Sequence, residues 1–217
     1  MIIPFQRTGK IVKYHIDNNN QKRAIQIAEA LEKNSESLSN MLDNLLNWSL
    51  DQMNGYASNP TKISLETELK SIIKSFEQQA LYKKTTIDLQ YNEDVSLLFD
   101  KGALHVIFRN LISNALKFTE NGTIKLSFSA EQENLNLNIY DNGIGMTDNQ
   151  IKNIFNPENY HTTQGTNGEK GTGLGLNLVY RFVKMQNGTI NVSSEKNKGT
   201  NFYLNFPTLG YESNPKN

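Results

Sequence analysis

Three short motifs in a fixed order constrain this chain more than anything else in it. They are Asn110-Leu-Ile-Ser-Asn114-Ala-Leu-Lys117-Phe118-Thr119, then Asp141-Asn-Gly143-Ile-Gly145, then Gly171-Thr172-Gly173-Leu174-Gly175-Leu176. In the first, Asn110, Asn114 and Lys117 are four and three residues apart, so on a helix they share one face, while Ile107, Leu111, Ala115 and Phe118 lie on another. A polar face is then offered to a ligand while an apolar face holds a core. An Asn carbonyl is a neutral hard oxygen suited to one position on Mg2+, and Lys117 adds a point charge for phosphates. Alone, such a face is an ordinary solvated one.

In the second motif Asp141 ends the strand-like run Leu135-Asn-Leu-Asn-Ile-Tyr and is followed by a sharp turn. Gly143 and Gly145 let backbone approach a planar ring, and the carboxylate can accept a hydrogen bond from an adenine amino group. In isolation this is an ordinary Asp-Asn-Gly turn. In the third, the backbone of Gly171, Thr172, Gly173, Leu174 and Gly175 opens a helix, so unpaired N–H groups and the positive end of the helix dipole face an anion. The third glycine is misplaced for a dinucleotide fingerprint, and no Lys-Ser or Lys-Thr closes a Walker loop. Together the motifs supply a metal ligand, a base-reading carboxylate and a phosphate cradle, which is the chemistry of ATP with Mg2+. The turn-rich stretch from Phe155 to Lys170, which runs into the cradle, reads as a lid over the nucleotide.

The surroundings divide into two parts. Apolar residues at Ala24, Ala28, Leu31, Leu38, Leu42 and Leu45 predict a long amphipathic helix over 21–54, with a weaker repeat of the spacing at Ile2, Phe5, Gly9, Val12 and Ile16 before the polar break Asp17-Asn-Asn-Asn20. Residues 1–54 are therefore expected to form a helical hairpin, which a second copy completes to a four-helix bundle, making the protein a homodimer; packing of the hairpin on its own downstream domain is the alternative. Residues 55–60 read as a linker, 61–210 as an α+β domain with helices on one face of a mixed sheet, and 211–217 as a tail. Strands are expected at Thr61–Leu65, Thr85–Tyr91, Gly122–Ala130, Leu135–Tyr140, Thr189–Ser194 and Asn201–Phe206. Helices are expected after Ser64, over Ala103–Phe118 and over Leu174–Met185.

Lys and Arg total 22, as do Asp and Glu, so no global field recruits nucleic acid or an anionic membrane. With no cysteine, disulfides, thiolate metal sites and cysteine catalysis are excluded. No apolar run approaches the ~20 residues of a membrane span, so the expectation is a cytoplasmic portion without membrane contact of its own.

From Thr61 to Pro207 the motifs and their order resemble the ATP-binding domain of sensor histidine kinases, within the superfamily that includes gyrase, a heat-shock chaperone and mismatch-repair ATPases. The family's N, G1, F and G2 boxes correspond to Asn110–Thr119, Asp141–Gly145, Ile154–Pro157 and Gly171–Gly175. The resemblance implies a two-layer α/β sandwich of the Bergerat type. It implies that Asn114 coordinates Mg2+, that Asn110 and Lys117 contact phosphates, that Asp141 reads adenine, and that Gly173 and Gly175 line the triphosphate. Gly199-Thr200 is similar to a late motif near the adenine, which adds Thr200. The N-terminal hairpin is similar to the second part of the family's dimerisation and phosphotransfer bundle.

Two departures accompany the resemblance. None of His15, His105 and His161 has the acidic neighbour and following proline of the family's phosphoacceptor box, and Phe155-Asn-Pro lacks the usual second aromatic. The implied function is the catalytic core of a two-component sensor kinase. It would move the γ-phosphoryl of ATP to a histidine outside this chain, then to an aspartate of a response-regulator receiver domain. The alternative is a histidine-less module that binds nucleotide and modulates a partner kinase. A gyrase-like ATPase needs a further domain after Pro207, for which these residues leave no room.

Overall fold

The computed structural model describes residues 5–27, 58–131, 133–156, 163–169, 173, 175–208 and 211–215. The chain divides into two compact units, Met1–Gly55 and Tyr56–Asn217. In the first unit, helix α1 (Phe5–Asp17) ends in a tight turn where Asn19 takes φ +55, and helix α2 starts at residue 21 and is described to 27. The polar break is thus a turn between two helices. The greater part of the long helix read over 21–54, and most of the linker, lie outside the described residues.

The second unit holds two sheets. Strands β1 (Pro60–Ser64), β3 (Glu93–Asp100) and β8 (Tyr211–Pro215) form an antiparallel sheet in the order β1-β3-β8. Strands β2 (Thr86–Gln90), β4 (Thr123–Glu131), β5 (Asn134–Asp141), β6 (Thr189–Glu195) and β7 (Gly199–Pro207) form a five-stranded sheet in the order β2-β4-β5-β7-β6. Only β2 and β4 run parallel, so this sheet is mixed, as the pattern predicts. The α+β class is therefore observed, with a small second sheet that the pattern does not reveal. Where the sequence reading leaves a tail at 211–217, Tyr211–Pro215 is strand β8, paired with β3 in the register Leu97↔Tyr211. Its stabilisation comes from backbone hydrogen bonds, and a polar edge strand ending in Pro shows none of the apolar alternation by which strands are recognised.

Alternation accounts for the rest of the sheet. Ile124, Leu126 and Phe128 on β4, Leu135, Leu137 and Ile139 on β5, and Phe202, Leu204 and Phe206 on β7 all point inward and are buried. Against that face packs helix α5 (Lys101–Phe118), which buries Ala103, Leu104, Ile107, Phe108, Leu111, Ile112, Ala115 and Leu116. Each large apolar side chain buried there contributes about 1.5–3 kcal/mol. The N-cap, where the Asp100 carboxylate accepts from Ala103 N at 3.0 Å, contributes about 1 kcal/mol. Packing therefore sets where α5 lies, and the cap sets where it starts.

Helix α3 (Leu65–Lys74) is capped by Ser64, whose hydroxyl accepts from Thr67 N. Helix α7 (Gly175–Met185) buries Leu178, Val179, Phe182 and Val183 and packs beside α5. Two helices escape pattern reading, α4 (Glu77–Tyr82) and α6 (Asp148–Asn153). Each has six residues and together they bury one side chain, Ala80, so neither shows a period. The capping box of Thr147 and Gln150 holds α6 in place of a core. Among the described residues, no helix is long and apolar enough to cross a membrane.

Candidate nucleotide-binding site

Asp141 is the last residue of β5, hydrogen-bonded on both sides, opposite Ile124 of β4 and Thr200 of β7. It is 5% exposed. Its Oδ1 accepts from the Gly143 backbone N–H at 2.9 Å and lies 3.5 Å from the Thr119 hydroxyl. Burial pushes its carboxyl up to about 6; the bonds from Gly143 N–H, Thr200 N–H and the Thr119 hydroxyl hold it down in part. No cation pairs with it in the described structure, so the fold carries a desolvated carboxylate that its own stability does not call for.

The turn after Asp141 is locked onto the end of α5. Ile144 N donates to Phe118 O at 3.1 Å, and a Cβ on Gly143 would stand 2.2 Å from that same carbonyl. Gly145 takes φ +61. On the far side Ser194, which no motif flagged, gathers the turn by accepting from Met146 N at 2.8 Å, donating to Gly199 O at 2.8 Å and meeting the Thr200 hydroxyl at 3.0 Å. Thr200 is itself buried.

On α5, Asn110, Asn114 and Lys117 are each half-buried, between the exposed and the buried faces. Asn110 Nδ2 donates back to Val106 O at 2.8 Å, leaving its carbonyl toward the start of α7: a Cβ on Gly175 would stand 2.7 Å from Asn110 Oδ1. The first and third motifs therefore meet in space. Lys117 Nζ donates to Thr163 O at 2.6 Å and lies 4.8 Å above the Phe118 ring; burial pulls its ammonium below the usual lysine range, while nearby Glu169 holds it up. Gly173 takes φ +77. Gly171, Thr172 and Leu174 lie outside the described residues, as do Pro157 of the F box and residues 157–162 of the lid stretch. Phe155, at the start of that stretch, packs against Tyr180 of α7 at 5.5 Å between ring centroids.

Of the histidines, His105 engages an acidic side chain. His105 Nε2 lies 2.8 Å from Glu68 Oε2, a carboxylate that also accepts from Lys101, and His15 lies within α1. His161 is outside the described residues. A trough of about 470 Å³ is found elsewhere, lined by Ser127, Asn138, Asn191 and Tyr203 among others.

Residues 99–210, just over half of the chain, match the family model described as histidine kinase-, DNA gyrase B- and HSP90-like ATPase. The chain belongs to that family. Its relatives are sensor kinases, so the ATPase domain is of the histidine kinase type. The autoinducer 2 sensor kinase/phosphatase LuxQ of Vibrio vulnificus YJ016 is 40% identical over 120 residues, which are 52% of this chain and 14% of the relative. The sensor histidine kinase RcsC of Escherichia coli K12 is 26% identical over 186 residues, 85% of this chain and 20% of the relative. The chain thus spans at most a fifth of the length of these two. Among solved structures, the Acinetobacter baumannii histidine kinase AdeS superposes with TM-score 0.70 at 21% identity, covering 94% of this chain and 97% of that one. Full-length ShkA, solved in complex with AMPPNP, gives TM-score 0.71 at 22% identity over 91% of this chain and 40% of that one. Both likenesses are of fold, and ATP is the ligand of the family.

Proposed function

We propose that this chain is the catalytic core of a two-component sensor kinase that binds Mg-ATP and delivers its γ-phosphoryl group to a histidine. In this reading Asp141 accepts from the adenine amino group, and Gly143, Gly145 and Thr200 shape the space around the ring. Asn110 and Lys117 contact phosphate oxygens, and Asn114 contributes its carbonyl to Mg2+. Gly171, Thr172, Gly173, Leu174 and Gly175 present backbone N–H groups to the triphosphate. The residues present fit the metal: a neutral amide oxygen suits a hard cation whose remaining positions are filled by phosphates and water. When bound, Mg2+ supplies charge neutralisation, and catalysis otherwise consists of positioning.

One observation carries the reading. Asp141 is buried, has no cation partner among the described residues and is tied by its backbone to β4 and β7, which is how a fold holds a carboxylate for a ligand rather than for itself. A pH dependence follows from its raised pKa. The ionised form accepts more strongly from the adenine amino group than the protonated acid does, so ATP affinity is expected to be flat above about pH 7 and to fall as pH drops below about 6. Calorimetric titrations across that window check this, and a flat profile would remove Asp141 from the adenine contact.

The phosphoryl acceptor is proposed to lie on another segment, because none of the three histidines carries the acceptor pattern. Label from γ-labelled ATP is therefore expected on an added kinase whose own ATP site is disabled, and not on this chain. Label on this chain refutes the second half. ATP binding without transfer to any such partner favours the alternative, a nucleotide-responsive regulatory module. The aspartate of a response-regulator receiver domain is the proposed next acceptor; the histidine kinase ThkA, which shares this fold at TM-score 0.63, has been solved in complex with the response regulator TrrA. Homodimerisation through the hairpin is proposed from Tyr14, Ile16 and Ile25, which are 64%, 54% and 57% exposed and offer an apolar surface to a second copy.

A further inference from the structure

Lys83 is 2% exposed, and the proposed phosphoryl chemistry makes no use of it. A buried ammonium is costly unless its donors are all engaged. Lys83 Nζ donates to Leu116 O at 2.8 Å and Lys117 O at 2.9 Å, the carbonyls at the C-terminal end of α5, and to the Thr166 hydroxyl at 2.7 Å. It also pairs with the Glu169 carboxylate at 2.6 Å. One side chain therefore joins the last turn of α5 to the segment 163–169.

That segment is what surrounds Lys117. Thr166 N donates to Lys117 O at 3.0 Å, Lys117 Nζ donates to Thr163 O at 2.6 Å, and Gly165 lies so close that a Cβ there would stand 2.7 Å from Lys117 Cγ. The segment is folded on itself by Gly165 N to Glu169 O at 2.8 Å and by Asn167 N to Glu169 Oε2 at 2.9 Å. Glu169 is thus both the closing residue of this turn and the partner of Lys83. The contacts run in one direction: Lys83 holds Glu169 and Thr166, these hold the turn, and the turn sets the stem and head of Lys117.

We infer that Lys83 and Glu169 form a positioning pair for the phosphate end of the site, acting through Lys117. The inference rests on the ATP reading above and extends it to two residues that touch no part of the nucleotide in that reading. Lys83 and Glu169 differ from a plain stability bracket in one respect that can be measured. If charge alone mattered, deleting the Glu169 carboxylate near Lys117 would tighten binding of an anionic triphosphate. If the pair positions Lys117, the same deletion weakens it.

The test compares ATP with adenosine on the intact chain by calorimetry, using Glu169→Ala. This variant leaves Lys83 three hydrogen-bond acceptors but removes its counter-charge, so a thermal melt of each variant establishes that it is folded at the titration temperature. ATP affinity is expected to fall about tenfold, the scale of one charge-assisted contact, while adenosine affinity stays within about twofold. In a Lys117→Ala background, Glu169→Ala is expected to have no further effect on ATP, because residues that act through one another are non-additive. Lys83→Met, if it folds, repeats the pattern. Unchanged or tighter ATP binding by Glu169→Ala, an equal loss for adenosine, or a loss that persists without Lys117 would overturn the inference while leaving the ATP reading intact. Wild-type protein that binds neither ligand takes down the ATP reading and this inference together.

Discussion

Asp141→Asn is expected to weaken ATP binding by about a hundredfold and, in the same protein at neutral pH, to make the fold more stable. Both effects have one cause. The carboxylate sits desolvated at the end of β5 with its pKa pushed from 3.8 to about 6. A carboxyl whose folded pKa is raised binds its proton more tightly in the folded state. Its contribution is therefore fully present below the unfolded pKa and is lost as pH rises through about 6. Above that pH the ionised group costs the fold about 3 kcal/mol, taken from the size of the shift. Asparagine has no charge to desolvate, and its carbonyl still accepts from Gly143 N–H, so most of that cost disappears. The ligand sees the opposite. A neutral amide accepts less strongly than a carboxylate, and its NH2 group faces a donor if it turns over. Chemical denaturation at about pH 7 and about pH 4 checks the first half: the variant is expected to be more stable at the higher pH and equal to wild type at the lower. A variant no more stable at neutral pH, or one that binds ATP as wild type does, contradicts the account.

Gly199→Ala is expected to be the most damaging small substitution in the sheet, costing about 3 kcal/mol or more and lowering ATP affinity with it. Gly199 opens β7 with φ +105, a conformation that side chains with a Cβ rarely adopt. A Cβ there would stand 1.8 Å from Asp141 O and 2.8 Å from Asn142 Cα, both backbone atoms that no rotamer change can move aside. Relief requires β5 and β7 to part at the Asp141↔Thr200 pair, the place where the carboxylate is held. Thermal melts and ATP titrations of the same preparation check this. Stability and affinity both matching wild type would mean the strand ends do not depend on that approach.

The parts of the fold legible in sequence are those decided by burial. The alternation on β4, β5 and β7 and the apolar face of α5 each leave a period, because one face of the element must leave water, and the structure buries those residues, apart from Phe118, which is half-buried. Ser64 as the cap of α3 was legible for a similar reason, since a hydroxyl before an apolar run has a local partner. Strand β8, the six-residue helices and the division into two sheets were not, since backbone pairing and capping hold them without an apolar stripe. At the site, the glycine-bearing motifs could be read because backbone approach to another group admits few residue types. Ser194 and Lys83 could not. Ser194 lies in an ordinary alternating strand, and Lys83 lies in Leu-Tyr-Lys-Lys, a string that reads as solvated charge until Leu116, Thr166 and Glu169 arrive around it.

By itself, then, the sequence determined the class of the fold, the family and the order of the three motifs proposed here to hold metal, base and phosphates, because hydrophobic period and glycine placement are local properties. Only the tertiary structure decided that Asn110 faces Gly175, that burial raises the Asp141 carboxyl to about 6, and that a buried lysine pairs with Glu169 beside the end of α5. Those outcomes depend on which distant segments exclude water from a charge, and solvation of a charge is a property of everything around it rather than of its neighbours in the chain.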